Sequence, residues 1–454
     1  MSNVLAQKIT IASLIKFSIP TVIMMTFMSL YTMVDGIFIS NFVGTDALSA
    51  VNLISPFIMV ISTIGIMLAT GGSAIVARKM GERKSKESRE NFSLLVLMGI
   101  VVGIVVLVIG NVFINPLIKV LGANDVVSQY CYDYMKIMLG FMPALMLQVI
   151  FQSFFVTAGK SALGLGFVAV GGITNIILDY IFIGSLNMGL AGAGLATGIG
   201  YSIPGILGLL YFIVNRKGTL YLIKPKFDTK VLKESLMNGS SEMVSNLAGG
   251  ITIYLFNIAM MKMIGPDGVA AISVLLYTDS LLVAIYMGYS MGVSPLISYN
   301  YGEENRRNLR KILKISVRTL LISSITVCIL CVIFSKNLVS IFAPVGSSVF
   351  IIAAKGLPIF AIAFLFKGLN IFASSMFTAL SNGKVSAILS FLRTFVFLII
   401  GITILPSLFK VTGLWISVPF AEVLAIIISF IYFKKFKSVY FYYYNGEFNE
   451  KIKA

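Results

Sequence analysis

Apolar runs long enough to cross a bilayer follow one another from Ile11 almost to the C-terminus, broken by short polar connections. A spanning helix needs about 20 mostly apolar residues. On that length the chain predicts about twelve of them: near Leu14–Asn41, Leu48–Ala77, Phe92–Ile114, Tyr130–Ala158, Ala162–Leu186, Leu190–Val214, Leu236–Ile264, Val269–Ser298, Ile315–Phe334, Phe350–Leu380, Val385–Leu405 and Gly413–Phe433. The polar positions alternate in kind from one connection to the next. Arg78 to Arg89, Lys160, Arg216 to Lys233, Arg306 to Lys314, Lys384 and Lys434 to Lys437 occupy every second connection, whereas Asn41–Asp46, Ser185–Gly189 and Gly265–Gly268 hold no Lys or Arg. Cytoplasmic loops carry the excess of Lys and Arg, so this pattern predicts both termini inside a cell membrane. The aromatic tail Tyr440–Tyr444, beside lysines, fits a membrane interface.

The pattern is used twice. Gly44 to Glu82 reappears without a gap as Gly265 to Glu303, at an offset of 265 − 44 = 221. Gly44, Asp46, Ala50, Gly71, Ser73, Gly81 and Glu82 meet Gly265, Asp267, Ala271, Gly292, Ser294, Gly302 and Glu303. With six spans in each copy, both copies enter the membrane in the same sense, so an axis along the membrane normal relates them. The long polar linker Asn215 to Glu234 falls between the copies. The expected architecture is all-α and polytopic, with twelve transmembrane helices in two six-helix lobes, residues 1–222 and 223–454.

Composition sharpens this picture. Of 454 residues, 58% are hydrophobic and 12% charged, against roughly 25% charged in soluble domains. The net charge of +17 would suggest a nucleic-acid partner in a soluble protein; here the alternate loops account for it, and no nucleic acid is expected. Met1 to Ala6 lacks the basic start of a cleaved signal. The three cysteines lie in apolar segments, and Cys328 and Cys331 form a lone C-x-x-C without a second pair. Histidine is absent, which removes histidine relays, histidine-ligated metals and histidine-based triads. No G-x-x-x-x-G-K-[ST] phosphate loop occurs and the connections are too short for a nucleotide-binding domain, so neither an enzyme nor direct use of ATP is expected, and no cofactor beyond a coupling ion.

Carboxylates inside a bilayer are expensive and mark functional sites by default. Asp35 lies six residues before Asn41 and Asp179 ten before Gly189, which puts both roughly 9–15 Å below the lysine-poor surface at ~1.5 Å per residue. Asn175 is one turn from Asp179, and Thr197 in the sixth span reaches a similar depth. Two carboxylates, an amide and a hydroxyl at one level are hard oxygen donors, suited to Na+ or to a proton shared between the acids; the competing reading has the acids simply bonding neighbouring helices. Lys136 is the one obvious cation within these spans, and its long stem can carry it outward. The second copy differs, with Glu242, Asp279, Lys367, Arg393 and Glu422. Internal ion pairing competes there with a cavity role for Glu242 or Asp279 toward cationic ligands. Pro20, fifteen residues before Asp35, kinks its helix as a hinge or as a static bend.

Several of these segments together resemble the multidrug and toxic compound extrusion (MATE) family: Pro20 with Asp35 in the first span, Gly44-Thr45-Asp46-Ala47-Leu48 before the second, and Ser294-Pro295 followed by Tyr299-Asn300-Tyr301-Gly302 and the basic run from Arg306. The resemblance covers essentially the whole chain. It implies an ion-coupled exporter that exchanges amphipathic, mostly cationic organic compounds for Na+ or H+. Its ion-site pattern falls on Asp35, Asn175, Asp179 and Thr197, with Gln152 where another polar residue stands near the site. Glu242 corresponds to a glutamate some members use; the proline many carry just before it is absent from Met237-Asn238-Gly239. The expected partners are small amphipathic substrates and the lipid bilayer, with one chain sufficient for function. The alternative within the same superfamily is a flippase for lipid-linked oligosaccharides.

Overall fold

A computed structural model of the chain describes residues 4–441; Tyr442–Tyr444 of the aromatic tail lie outside them. The described residues are helical throughout their ordered elements, because a backbone in lipid must satisfy its own hydrogen bonds. The order is α1 (Ile11–Phe38), α2 (Thr45–Gly81), α3 (Ser85–Val112), α4 (Ile114–Val120), α5 (Asp125–Gly140), α6 (Met142–Thr157), α7 (Ser161–Asp179), α8 (Gly189–Val214), α9 (Thr229–Met263), α10 (Pro266–Gly302), α11 (Arg306–Ile333), α12 (Ser335–Ser340), α13 (Ser348–Phe360), α14 (Phe364–Ala379), α15 (Gly383–Phe391) and α16 (Phe397–Phe441). Side chains close the ends that water reaches: Thr10 and Ser13 form a capping box on α1, and Asp228 accepts from Lys230 and Val231 at the start of α9.

The span count follows from two bends. The α5 and α6 axes meet at 56° and make one broken span. Gly383–Phe441 is 59 residues long, roughly 90 Å if straight, about three times the hydrocarbon thickness. It turns back at Lys410, whose φ is 52°, and so brings Gly413 against Leu405 and Gly401 against Ser417. That stretch is two spans, and the described residues therefore hold twelve. The predicted fourth and tenth spans are not single straight helices: one breaks at Phe141, the other at Ala361–Ala363. The short helices α4 and α12 were not visible as elements in the hydrophobic pattern.

The duplication is more complete in the structure than in the sequence. α11 begins 306 − 85 = 221 residues after α3 and ends 333 − 112 = 221 after it. α12 follows α4 at the same offset, 335 − 114 = 221. The left-handed backbone positions Gly44 and Gly265, Arg83 and Glu304, and Gly189 and Lys410 are each 221 apart. The connection after α8 belongs to the first lobe's surface: Arg89 donates to Tyr221 at 2.8 Å and the Ile223 amide to Ser93 at 2.9 Å.

The lobes meet at the Lys/Arg-rich end. A Cβ on Gly81 would overlap the Tyr299 carbonyl, and one on Gly302 the Arg78 carbonyl, so α2 and α10 cross backbone to backbone on the pseudo-twofold. Gly71 lies against Ser235 and Gly239 of α9, and Gly292 against Ser18 of α1 in the equivalent way. An ion network caps this seam: Arg78 reaches Glu234 across the lobes at 3.6 Å, and Lys79 and Lys84 reach Glu82 at 3.1 and 3.0 Å. Burial would push the Glu82 carboxyl up, but the two lysines outweigh it and hold it below the usual carboxylate range. At the other end of the same four helices Gly36, Gly44, Gly249, Gly250 and Gly265 have nothing within 4 Å of a Cβ. The cleft between the lobes is therefore shut at the basic end and open at the other.

Gly81→Val or Gly302→Val should pry the seam apart. Forcing volume into a packed contact costs about 1–3 kcal/mol, and about 1.4 kcal/mol is tenfold in a population. A thiol placed at Ser18→Cys, buried at the seam, should then react with maleimide at least about tenfold faster in the purified protein, above the background of the three native cysteines. An unchanged rate would mean that the crossing does not hold this end closed.

Candidate functional site

Three helices of the first lobe bring the predicted oxygen donors together. α1 carries Asp35 near its end, just before a π turn at Ile39–Val43. α7 ends on Asp179, where a second π turn, Tyr180–Ser185, begins, and Asn175 stands one turn earlier. α8 supplies Thr197. Asp179 is fully buried, Asn175 and Thr197 nearly so, and Asp35 half-buried. The Asp35 and Asp179 carboxyls face each other within hydrogen-bonding reach.

What sets these side chains apart is the lack of donors. Asp35 Oδ1, both Asp179 oxygens, both Asn175 amide atoms and Thr197 Oγ1 are all buried without a hydrogen-bond partner. Two ionised carboxylates cannot bond each other, since each only accepts. Each orphaned polar atom costs about 1–3 kcal/mol. Among the described residues no Lys or Arg forms an ion pair with either aspartate. Lys136 is exposed, its ammonium over the Tyr132 ring at 5.4 Å, so it has left the spans' interior. The competing expectation, in which the acids bond neighbouring helices, therefore finds no partners here. The donor set fits a small cation or a shared proton: charge to neutralise, and neutral oxygens from Asn175 and Thr197 to complete a shell.

A small cavity, with space for about one water-sized body, opens beside this cluster. Asn175 and Thr197 line it with Tyr31, Gln148 and Tyr201, among others. Tyr134 is buried beside Thr197. Gln148, Tyr31 and Tyr201 escaped the sequence reading, although each is one helical turn from a residue it named: Gln152, Asp35 and Thr197. Gln152 itself lies elsewhere. Its amide points at the thioethers of α1, 2.9 Å from Met28 Sδ and 3.7 Å from Met25 Sδ. Gln148 is the amide that lines the cavity.

Pro20 lies within a continuous α1, level with the seam: Ser18 abuts Gly292, and Thr21 and Val22 abut Gly288. One helix thus seals the closed end and carries half of the carboxylate pair.

In the second lobe Asp279 is not an open cavity acid. Lys367 Nζ holds its Oδ1 at 2.6 Å. Glu242 is half-buried and near Arg393. Glu422 takes Arg393 at 3.9 Å and the Asn370 amide at 2.7 Å. The lone C-x-x-C is two buried free thiols, and no metal-holding cluster of His, Cys, Asp or Glu exists among the described residues.

Comparison with known proteins agrees with this architecture. The MatE family model matches residues 20–181 and again 247–403, once in each lobe. The chain is 24% identical over 412 residues to a protein of Staphylococcus haemolyticus described as "Multidrug export protein MepA", covering 90% of each chain. Its fold superposes on the outward-facing conformation of a multidrug resistance MATE transporter with a TM-score of 0.91 at 21% identity, over 97% of this chain and 98% of that one. A MATE structure in a straight conformation gives the same TM-score and identity, over 97% and 99%. A multi-pass membrane protein of two six-helix lobes, matched by the family model in both, this chain belongs to the MatE family, that of the multidrug and toxic compound extrusion transporters.

Proposed function

We propose that the protein is a secondary antiporter that expels amphipathic, mostly cationic organic compounds in exchange for Na+ or H+, with Asp35, Asn175, Asp179 and Thr197 as the coupling-ion site. The observation that carries this reading is the group of six orphaned polar atoms contributed by three helices to one buried point. A site of that kind is stable only when something positive visits it. The relatives named for multidrug export support the substrate class. An acidic first lobe repels a pyrophosphate and gives no support to the flippase alternative.

Two charges 4 Å apart repel by about 4 kcal/mol at an effective dielectric constant of 20. With the ion in place, α1 and α7 can hold their acids face to face; without it they are pushed apart. α1 transmits the difference: Asp35 is 17 residues from Ser18 at the seam, roughly 25 Å along the helix. Ion entry from the open end would fix one position of α1 and release substrate; ion loss at the basic end would favour the other and reload it. One-for-one exchange of a monovalent ion for a singly charged substrate moves no net charge, so the ion's concentration gradient drives it: a tenfold ion gradient, about 1.4 kcal/mol, sustains a tenfold substrate gradient. The basic end would be cytoplasmic, with both termini, and the membrane the cell's plasma membrane. Each chain holds its own cleft and acid pair, so a monomer would suffice.

Asp35→Asn and Asp179→Asn should each cut ion-driven ethidium efflux from proteoliposomes at least about tenfold, the loss of one charged interaction, while eluting as the wild type does. Full efflux by both variants would remove the acids from the coupling step. Thr197→Val, which keeps the shape and deletes the orphaned oxygen, should raise the half-saturating concentration of the driving ion roughly tenfold. An unaltered value would put the hydroxyl outside the ion's shell.

A further inference from the structure

The 221-residue repeat shows where a second ion site would stand. The counterparts of Asp35, Asn175, Asp179 and Thr197 are Phe256, Val396, Ile400 and Val418, all apolar. The second lobe nonetheless keeps three acids within its spans, Glu242, Asp279 and Glu422, at other positions. Unlike the first-lobe pair, these acids stand beside cations that belong to the chain.

Lys367 is 7% exposed, bonded to Asp279, and lies 5.8 Å from the centres of the Phe360 and Phe364 rings. An ammonium buried among rings and a carboxylate has little reason to leave. Arg393 sits in a π turn, Leu392–Val396, where the extra residue re-aims the side chain. It reaches Glu422 of α16 at 3.9 Å, with Glu242 of α9 in its neighbourhood. Glu422 is fixed by Asn370, whose own oxygen accepts from Ser429 at 3.2 Å. With Arg393 gone, Glu422 would be a buried carboxylate with no cation beside it, as the first-lobe acids are now.

We infer that the second lobe carries resident counter-ions, Lys367 and Arg393, in place of an exchangeable one, and that Arg393 thereby limits the transporter to the ions bound by the first lobe. The inference rests on the antiport reading and adds a stoichiometry to it. Arg393 is a tethered cation in the position a free cation would take. A neutral residue there admits one more coupled ion; a lysine, which keeps the charge, does not.

The ethidium gradient at which net flux vanishes, under a fixed ion gradient in proteoliposomes with the membrane potential clamped to zero, gives the ions moved per ethidium. Wild type and Arg393→Lys should share one value, and Arg393→Gln should move one ion more. An active Arg393→Gln with the wild-type value overturns the inference. If Arg393→Gln does not elute as a folded protein, the double variant Asp35→Asn with Asp179→Asn decides. Its ethidium binding in detergent, read by dye polarisation, should be indifferent to Na+ and to protons. Ion-dependent binding that survives in the double variant would reveal a second exchangeable site and overturn the inference. Wild-type protein with no ion-driven flux under either gradient would instead defeat the antiport reading beneath it.

Discussion

Two carboxylates that face each other inside a membrane, with no Lys or Arg among the described residues paired to them, are the constraint on which the rest depends. The arrangement is unstable by itself: buried acids of like charge repel, and the nearby amide and hydroxyl are unpaired. In the proposed cycle this point has two states, filled or pulled apart. Keeping it at the junction of α1, α7 and α8 would tie helix position to ion occupancy. The second lobe shows the other solution to the same cost, with Lys367 and Arg393 built in beside its acids.

In the proposed cycle the seam would turn that local instability into a change of the whole molecule. α1 packs on α10 through Gly288 and Gly292, and α2 packs on α9 and α10 through Gly71 and Gly81. These are backbone contacts with no side chain between them, so a small displacement of α1 removes the fit instead of stretching it. The repeat gives each lobe a matching share of the contact: Gly71 and Gly81 of the first recur as Gly292 and Gly302 of the second.

The fold was largely legible because a membrane simplifies the code. Apolar length gave the spans, loop lysines the expected sidedness, and the constant offset the two lobes. What stayed hidden was local backbone geometry. The break at Phe141 and the turn at Lys410 lie within apolar runs that length alone cannot divide, and α4 and α12 are too short to register. In the site, depth counting found Asp35 and Asp179 because each lies a known number of turns from a polar connection. It found Asn175 by helical spacing. It did not find Gln148, Tyr31 or Tyr201, since polar and aromatic residues in apolar helices are too common to single out. Gln152 was named by analogy and faces methionines instead. For Asp279 the sequence allows a cavity role or an ion pair, and only the packing of α10 on α14 chooses the pair.

The central claim is that an ion comes and goes between Asp35 and Asp179, and infrared difference spectroscopy of the reconstituted protein tests it most directly. Raising the concentration of the driving ion should change the carboxyl stretching bands, and the change should vanish in Asp179→Asn. A spectrum insensitive to both Na+ and protons, or a change that Asp179→Asn leaves intact, would contradict the account.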